Sequence, residues 1–342
     1  MLALKLKGKS GTCQILIGER ISNLLEYIVA EESAIITDSI VRKLHGKNIP
    51  GKIPIIEIGQ GESAKTLSTA ERVYDALLEY GLERSSTIVG VGGGVVCDVA
   101  GFVASTYLRG VTLGLVPTTL LAQADASIGG KNGLNFKGYK NIIGTIRQPS
   151  FVLCDFEALK TLSSQAISCG FAEIIKHASI ADKTLFDFLE KNSKDCLSLK
   201  KSSIERALQA SILIKSRIVE ADETEVKERM KLNFGHTIGH AIEKVYGLPH
   251  GYCVSIGMAI ESKLSVKKNL LKRSQAERLA NLLSTFNLPI TIDINKQEIL
   301  DAIEKDKKRR ANTIRIPLLE DIGSARIIEI KESDLEAVLD DS

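Results

Sequence analysis

The first half of the chain alternates short apolar runs rich in β-branched residues with stretches of helical periodicity. One helical stretch covers residues 68–80, and Gly81 is placed to end it. This alternation predicts an α/β domain with a doubly wound, mostly parallel sheet. Two of the predicted strands are continuously apolar, as strands covered on both faces are. The predicted strands are residues 34–38, 53–58, 87–91, 111–116 and 151–155.

The pattern changes after about residue 158, where convincing strands nearly vanish. A length of 342 residues favours two domains. We therefore predict an α/β domain over residues 1–158 and an all-helical domain over residues 159–342, with a ligand site in the cleft between them. The predicted helices of the second domain are residues 163–177, 184–190, 200–219, 230–245, 252–270, 274–285 and 296–305.

Composition excludes several classes of protein. The formal net charge of +3 is too small to indicate a nucleic-acid or membrane-surface partner. Apolar runs are broken well short of the roughly 20 residues that a membrane-spanning helix needs. Residues 1–7 alternate as a strand does and do not resemble a signal peptide. The six cysteines are scattered without a C-x-x-C pair, which favours reduced thiols and a cytoplasmic location.

A glycine-rich turn follows the third predicted strand. Gly92, Gly93 and Gly94 come before an apolar helix, where backbone N–H groups could bind the pyrophosphate of a dinucleotide. The usual G-x-G-x-x-G pattern fails at Val95, so a tight turn without a ligand is the alternative. Asp98 could equally be an acid that complements the helix dipole.

Polar residues also follow other predicted strands. Asp38 could bind an adenosine ribose, residues 60–65 offer a carboxylate and an ammonium, and Thr118 with Thr119 offers two hydroxyls. Ligands bind at the carboxyl ends of strands in such sheets. If these residues bind no ligand, residues 60–65 are only the start of a helix and the two threonines only the end of a strand.

Residues 125–141 combine glycines, lysines and Asp125 in one segment. The pair Gly129-Gly130 beside Lys131 would allow close approach of an anionic ligand. A polar surface loop is the alternative.

The polar residues Arg229, Asn233, His236 and His240 are spaced 4, 3 and 4 apart. That spacing places them on one stripe of a single α-helix, which we interpret as a wall of a polar pocket. Three of the chain's five histidines, His236, His240 and His250, lie within fifteen residues of sequence.

Glu173 lies in an otherwise apolar run and needs a partner if it is buried. A divalent metal bound by Glu173, His236 and His250 would supply one, since two histidines with a carboxylate form a known catalytic zinc site. The alternative is a Glu173–Lys176 pair on a solvated helix face.

His45 and His177 are expected to be structural or surface residues. Lys215 should face a cavity, and residues 305–310 are either a solvated helix end or the source of a phosphate-binding lysine.

Together these segments resemble the 3-dehydroquinate synthase family of sugar phosphate cyclases over residues 30–325. The resemblance rests on eight motifs in the family's order, namely residues 92–98, 107–110, 117–119, 125–131, 140–141, 172–177, 233–240 and 250–251. It implies a homodimer and an anionic sugar phosphate substrate, 3-deoxy-D-arabino-heptulosonate 7-phosphate. Bound NAD would oxidise the C5 hydroxyl, phosphate would leave by β-elimination, and the same NADH would reduce the ketone before an aldol ring closure.

The resemblance also implies residue roles. Zn²⁺ or Co²⁺ would be bound by Glu173, His236 and His250, and the substrate carboxylate by Lys131 and Arg229. The phosphate would be contacted by Asn141, Asn233, His240 and Lys307 or Lys308, with Arg109 able to reach across from the second subunit. The hydroxyl-bearing carbons would be contacted by Asp125, Lys176 and Lys215. NAD would be contacted by Asp38, Gln60, Gly61, Glu62, Ser63, Ala64, Lys65, Gly93, Gly94, Val95, Val96, Cys97, Asp98, Thr118, Thr119, Lys131, Lys140, Ala158, Leu159, Lys160 and Thr161.

Three other functions compete with this expectation. A cyclase acting on glucose 6-phosphate or sedoheptulose 7-phosphate would leave Lys131 and Arg229 without an anion to bind. A metal-dependent polyol dehydrogenase shares the two-domain plan but would release NADH. A non-catalytic NAD-binding or scaffold protein would not need a metal triad.

Overall fold

The computed structural model describes residues 1–293, 295–306 and 313–339. The chain divides into two compact units. The first contains residues 1–163 and 215–223, and the second contains residues 164–214 and 224–342.

The first unit is built on a seven-stranded sheet. In chain order its strands are β1 Leu2–Gly8, β2 Gly11–Ile17, β3 Ser33–Asp38, β4 Ile55–Ile58, β5 Thr87–Gly92, β6 Thr112–Pro117 and β9 Phe151–Cys154. They are ordered β1-β2-β9-β6-β5-β3-β4, and all neighbours are parallel except the antiparallel pair β1–β2. The prediction of a mostly parallel α/β sheet is confirmed.

The order of the strands reverses between β3 and β5. The chain passes from β3 to β4 on one side, returns to β5 on the other side of β3, and continues outward to β6 and β9. In open α/β sheets, ligands bind outside the carboxyl ends of the strands at such a reversal. The core of the sheet packs fully buried Ile35, Val89, Val116 and Leu153 together.

The connections of the first unit are mostly helical. They contain α1 Ser39–His45, α2 Leu67–Glu79, α3 Gly94–Thr106, a π-helix Ala122–Ala126 and 3-10 helices Ile21–Glu26, Ala30–Glu32, Gly46–Asn48, Glu62–Ala64, Tyr107–Arg109 and Phe156–Thr161. Much of the lysine-rich segment at residues 125–141 belongs to a hairpin of β7 Lys131–Phe136 and β8 Tyr139–Ile146, which does not match the alternative of a surface loop. Its Thr145 hydroxyl lies 3.0 Å from that of Ser105 on α3.

The second unit is largely helical. Its helices are α4 Ser164–Ala181, α5 Lys183–Leu197, α6 Lys201–Ala221, α7 His236–Tyr246, α8 His250–Lys267, α9 Arg273–Thr285, α10 Lys296–Asp306 and α11 Glu332–Leu339, with a 3-10 helix Glu228–Asn233 before α7. Residues 215–221 of α6 group with the first unit.

The prediction of an all-helical second half is wrong in one respect. An antiparallel hairpin joins β10 Thr313–Asp321 to β11 Ser324–Lys331. Its apolar residues Ile316, Leu318 and Ile330 pack in the same core as Ile256 and Ile260 of α8, which explains why an isolated hairpin can exist there.

All six cysteines are free and buried, so they act as small apolar side chains. Burial raises the pKa of the Cys13 thiol to about 12, which keeps it protonated. Across the described ranges, none of the helices combines the length and the apolar character needed to cross a bilayer.

Candidate active site

Three side chains of the second unit converge on one point. Glu173 lies in the middle of α4, while His236 and His250 are the first residues of α7 and α8. The Nε2 atoms of His236 and His250 lie 3.5 and 3.3 Å from the same carboxylate oxygen of Glu173. The candidate ligand atoms of all three residues lie within 4.8 Å of one another.

The protonation of the two imidazoles follows from their outer contacts. His236 Nδ1 lies 3.2 Å from the backbone oxygen of Phe234, and His250 Nδ1 lies 3.1 Å from the carboxylate of Glu243. Carbonyl and carboxylate oxygens only accept hydrogen bonds, so each Nδ1 must donate. In the neutral rings, both Nε2 lone pairs therefore face Glu173. One carboxylate and two imidazole nitrogens at these distances form a donor set that suits a divalent metal.

Glu173 is only 1% exposed, which contradicts the alternative of a solvated helix face. Burial alone would raise its pKa, but the ammonium of Lys176 and the His236 ring outweigh it and hold the pKa well below its usual range. Among the described residues, neither carboxylate oxygen accepts a hydrogen bond of good geometry, although Lys176 forms an ion pair with it. The carboxylate is therefore ionised and can bind a further cation.

The pKa values of the two histidines are shifted in opposite directions. Burial and the Lys176 ammonium lower the pKa of His236, which favours the neutral ring that a metal requires. Burial also lowers the pKa of His250, but Glu173 and Glu243 outweigh it and raise the pKa to about 9. The negative charge around His250 thus favours a cation at this position, and a metal can replace the proton.

The predicted polar stripe on a single helix is wrong. Arg229 and Asn233 lie on the 3-10 helix, whereas His236 and His240 lie on α7. Gly235 separates them with φ of +79°, a backbone conformation that favours glycine. The helical spacing could not reveal this break, because the glycine conformation depends on close packing against α8.

The other residues predicted for the site in this unit differ in burial and in their contacts. Arg229 and Lys176 are buried, with exposed fractions of 2% and 1%. The amide of Asn233 donates to Glu225 at 2.5 Å, and the ring centroids of His240 and His236 are 5.1 Å apart. Lys307 and Lys308 lie outside the described residues.

Two acidic residues were missed by the sequence analysis. Glu225 contacts Asn233, and Glu243 contacts His250. Glu243 lies three residues after His240 on α7, so the i, i+3 spacing was a usable signal.

His177 is fully buried with Nδ1 at 2.8 Å from the Ser211 hydroxyl, and His45 is buried against Thr161. Both histidines are buried, so neither is the surface residue that the sequence analysis left open.

The first unit brings another set of predicted residues together. The ammonium of Lys65 donates to Asp98 and to Asn141, each at 2.6 Å. Burial raises the pKa of Asp98 to about 6, although the nearby Lys65 opposes the rise. Asp98 is therefore part of a buried polar network and does more than complement the dipole of α3.

The glycine turn leads directly into α3. Added Cβ atoms at Gly90 and Gly92 would lie 2.7 Å from Ala100 and 2.5 Å from Val96, so these two glycines allow strand and helix to pack closely. Gly93 is the N-cap residue of α3, and within the described chain no side chain caps this helix end. Its first N–H groups are suited to an anion.

The remaining predicted NAD residues follow the strands of the sheet. Asp38 caps α1 by accepting from Val41 N–H at 2.9 Å, and Gln60 donates to Ser39 at 2.6 Å. Thr118 and Thr119 follow β6, and the hydroxyl of Thr119 accepts from Ala122 N–H. The set at residues 158–161 lies in the 3-10 helix after β9. All of these residues stand at the carboxyl edge of the parallel strands.

Asp125 and Lys215 form a pair within the first unit. The ammonium of Lys215 donates to the carboxylate of Asp125 at 2.7 Å and to its backbone oxygen at 2.6 Å. Asp125 lies in the π-helix, a distortion that often marks functional sites. Lys131 and Lys140 are exposed on the β7–β8 hairpin, and Arg109 adopts φ of +64° after α3.

The fold and the Glu–His–His cluster together define a class of protein. A ligand-binding edge of a doubly wound sheet and a buried set of three metal-type ligands are typical of a two-part enzyme that uses a divalent metal with a dinucleotide.

Comparison with known proteins narrows this class. Residues 55–169 match the family described as 3-dehydroquinate synthase N-terminal, and residues 170–309 match 3-dehydroquinate synthase C-terminal. The chain is 40% identical over 333 residues to the 3-dehydroquinate synthase of Caldanaerobacter subterraneus subsp. tengcongensis, covering 94% of each chain. The chain belongs to the 3-dehydroquinate synthase family.

Solved structures of sugar phosphate cyclases share the whole fold. ValA, a 2-epi-5-epi-valiolone synthase from Streptomyces hygroscopicus subsp. jinggangensis 5008 with NAD⁺ and Zn²⁺ bound, superposes with a TM-score of 0.87 at 27% identity, covering 99% of this chain and 98% of ValA. A 2-deoxy-scyllo-inosose synthase complexed with carbaglucose-6-phosphate, NAD⁺ and Co²⁺ gives a TM-score of 0.88 at 25% identity and covers 100% of both chains. These two structures confirm the predicted mostly parallel α/β sheet followed by a largely helical second half.

Proposed function

We propose that this protein converts 3-deoxy-D-arabino-heptulosonate 7-phosphate to 3-dehydroquinate and inorganic phosphate. The observation that carries the proposal is the convergence of Glu173, His236 and His250, with ligand atoms within 4.8 Å, in a chain of this family. Family membership supports the reaction, and the site supplies the chemistry that the reaction needs.

The metal of this site would be Zn²⁺ or Co²⁺, the ions bound in the two related cyclases. When bound, it would polarise the C5 oxygen of the substrate. Glu173 would contribute a negative charge held ionised by Lys176, and both histidines would present Nε2 with Nδ1 anchored.

The dinucleotide would be NAD, which would accept a hydride from C5 and return it within one turnover. The N-terminus of α3 after Gly93 would bind its pyrophosphate, and Asp38 and Thr118 would contact it at neighbouring strand ends. The reversal of strand order between β3 and β5 supports this position. Lys65 would be held in place by Asp98.

The substrate would be recognised mainly through its anionic groups. Arg229 and Lys131 would bind the carboxylate, for which a planar guanidinium is well suited. The phosphate would be bound by Asn141, Asn233, His240, Arg109 and either Lys307 or Lys308. Lys176 and the Asp125–Lys215 pair would contact the hydroxyl-bearing carbons, and the bond between the last two would fix the Lys215 ammonium.

A test of this function measures inorganic phosphate released from the heptulosonate phosphate. We expect release in the presence of NAD, its loss after treatment with a chelator, and its recovery on adding zinc or cobalt. A polyol dehydrogenase would instead accumulate NADH absorbance at 340 nm with a simple polyol. A cyclase for a different sugar phosphate would release phosphate from glucose 6-phosphate or sedoheptulose 7-phosphate. The homodimer and the cytoplasmic location remain predictions for separate measurement.

A further inference from the structure

His250 lies between two carboxylates. Its Nε2 atom faces Glu173 at 3.3 Å, and its Nδ1 atom contacts Glu243 at 3.1 Å. The proposed metal ligand is thus anchored on its far side by a carboxylate oxygen. His236 differs, because its Nδ1 atom contacts the uncharged backbone oxygen of Phe234 at 3.2 Å.

The turn between α7 and α8 accounts for this contact. α7 ends at Tyr246 and is capped by Gly247, whose φ is +65° and whose N–H donates to the backbone oxygen of Glu243. Pro249 is the N-cap residue of α8, so His250, the first residue of α8, lies beside the last turns of α7. The Glu243 side chain is 16% exposed, which allows its charge to act on His250 with limited screening by water.

We propose that Glu243 is a positioning residue that orients His250 for the metal. This inference rests on the proposed metal site. The Glu243 carboxylate oxygen that lies 3.1 Å from His250 Nδ1 accepts its hydrogen, which fixes the Nδ1–H tautomer and aims the Nε2 lone pair at the ion. A carboxylate behind the ring also makes the imidazole a more basic ligand, and loss of such a partner typically lowers metal affinity about 10–100-fold.

A second arrangement of the same residues must be distinguished from this one. His240, Glu243 and His250 also place their candidate ligand atoms within 4.8 Å of one another. Glu243 could in that case bind a second cation directly. Because His250 would have to serve both ions through opposite nitrogens, we favour the hydrogen bond.

The experiment is a titration of the full chain with Co²⁺. The visible absorption of the bound ion and the number of ions bound per chain are measured. The variants are Glu243→Gln, which retains an uncharged acceptor, and Glu243→Ala, which removes it. Glu277→Gln is the matched control, since Glu277 is an exposed helical glutamate of the same unit that pairs with Arg273. Thermal unfolding without metal checks that each variant folds.

We expect one ion per chain in every protein, an altered cobalt spectrum in both Glu243 variants, and affinity reduced about 10–100-fold in Glu243→Ala. Glu243→Gln should fall between Glu243→Ala and the unchanged control, because the amide can still accept from Nδ1. Equal affinity and spectra in all four proteins would overturn the inference. Two ions in the unmodified protein and one in the variants would also overturn it, in favour of direct ligation. A failure of the unmodified protein to bind Co²⁺ would refute the metal site itself.

Discussion

At the scale of single residues, the decisive group is a buried carboxylate. Glu173 is almost fully excluded from water, and an unpaired charge there would be very costly. Its position in an apolar run of the sequence was sufficient to predict that it has a partner. The sequence could not show that Lys176 supplies only part of the compensation, because that depends on His236 and His250 arriving from other helices.

Arg229 provides a residue-scale prediction about the substrate. Replacing Arg229 with alanine should raise KM for the heptulosonate phosphate by a factor equivalent to about 2–3 kcal/mol, the usual loss for a hydrogen bond to a charged group. Steady-state phosphate release measures the effect. Arg273→Ala is the control, since this arginine is exposed on α9. Normal kinetics in Arg229→Ala would remove the argument for carboxylate recognition and favour another sugar phosphate cyclase.

At the scale of elements, α7 and α8 approach each other through glycines. A Cβ at Gly257 would lie 1.9 Å from the backbone oxygen of Gly235, and one at Gly239 would lie 2.9 Å from that of Cys253. The buried carboxylate of Glu261 on α8 accepts the Gly235 N–H at 2.7 Å, next to the start of α7. These contacts set the position of His236, and they are long-range features that a helical periodicity does not contain.

Gly235→Ala tests this element contact. The substitution adds the strain of a positive φ to a Cβ that would lie 2.5 Å from Met258 Cγ and 2.7 Å from the backbone oxygen of Val254. We expect a loss of unfolding free energy of about 1–3 kcal/mol and weaker metal binding. Gly247→Ala is the matched control, with φ of +65° but nothing within 4 Å of its Cβ. Similar losses in the two variants would show that backbone strain alone, and not the helix contact, is responsible.

The turn between β1 and β2 gives a prediction about pH. The Glu223 carboxylate accepts N–H groups of Lys9 and Ser10 at 2.6 and 3.1 Å, and the Gln148 amide at 2.9 Å. Burial would raise the pKa of Glu223, but these bonds and the Ser10 hydroxyl outweigh it and lower the pKa below its usual value of 4.5.

A lowered pKa in the folded state means that Glu223 stabilises the fold fully above about pH 4.5, the value for an unperturbed glutamate. The contribution is lost as the pH falls through the folded pKa. Glu223→Gln should therefore be less stable than the unmodified protein at pH 7, and the difference should shrink on acidification. Urea unfolding at pH 7 and at about pH 4 measures both effects. A constant difference would contradict the assignment of the lowered pKa.

At the scale of the whole molecule, local patterns predicted more of the fold than of the site. The strands and the parallel sheet followed from apolar runs and from alternation with helices, which are short-range signals. The β10–β11 hairpin was missed because its stability comes from packing with α8. The Asp125–Lys215 and Lys65–Asp98 bonds join residues far apart in the chain, and no spacing rule could pair them. Glu173, His236 and His250 were selected by their chemistry and by the family resemblance.

The whole reaction also makes a prediction about NAD. Because the hydride would return to the substrate in each cycle, one NAD should support many turnovers. With NAD limiting, phosphate released should exceed NAD by a large factor while absorbance at 340 nm shows no steady rise. Stoichiometric NADH would instead indicate a dehydrogenase.

The central claim is that a single divalent ion binds where α4, α7 and α8 meet. The most direct measurement is anomalous X-ray scattering at the zinc edge from crystals of the zinc-loaded protein. The predicted result is one strong peak within bonding distance of the Glu173 carboxylate and of Nε2 in both His236 and His250. A dominant peak elsewhere, or one that persists in Glu173→Gln with its height unchanged, would contradict the claim.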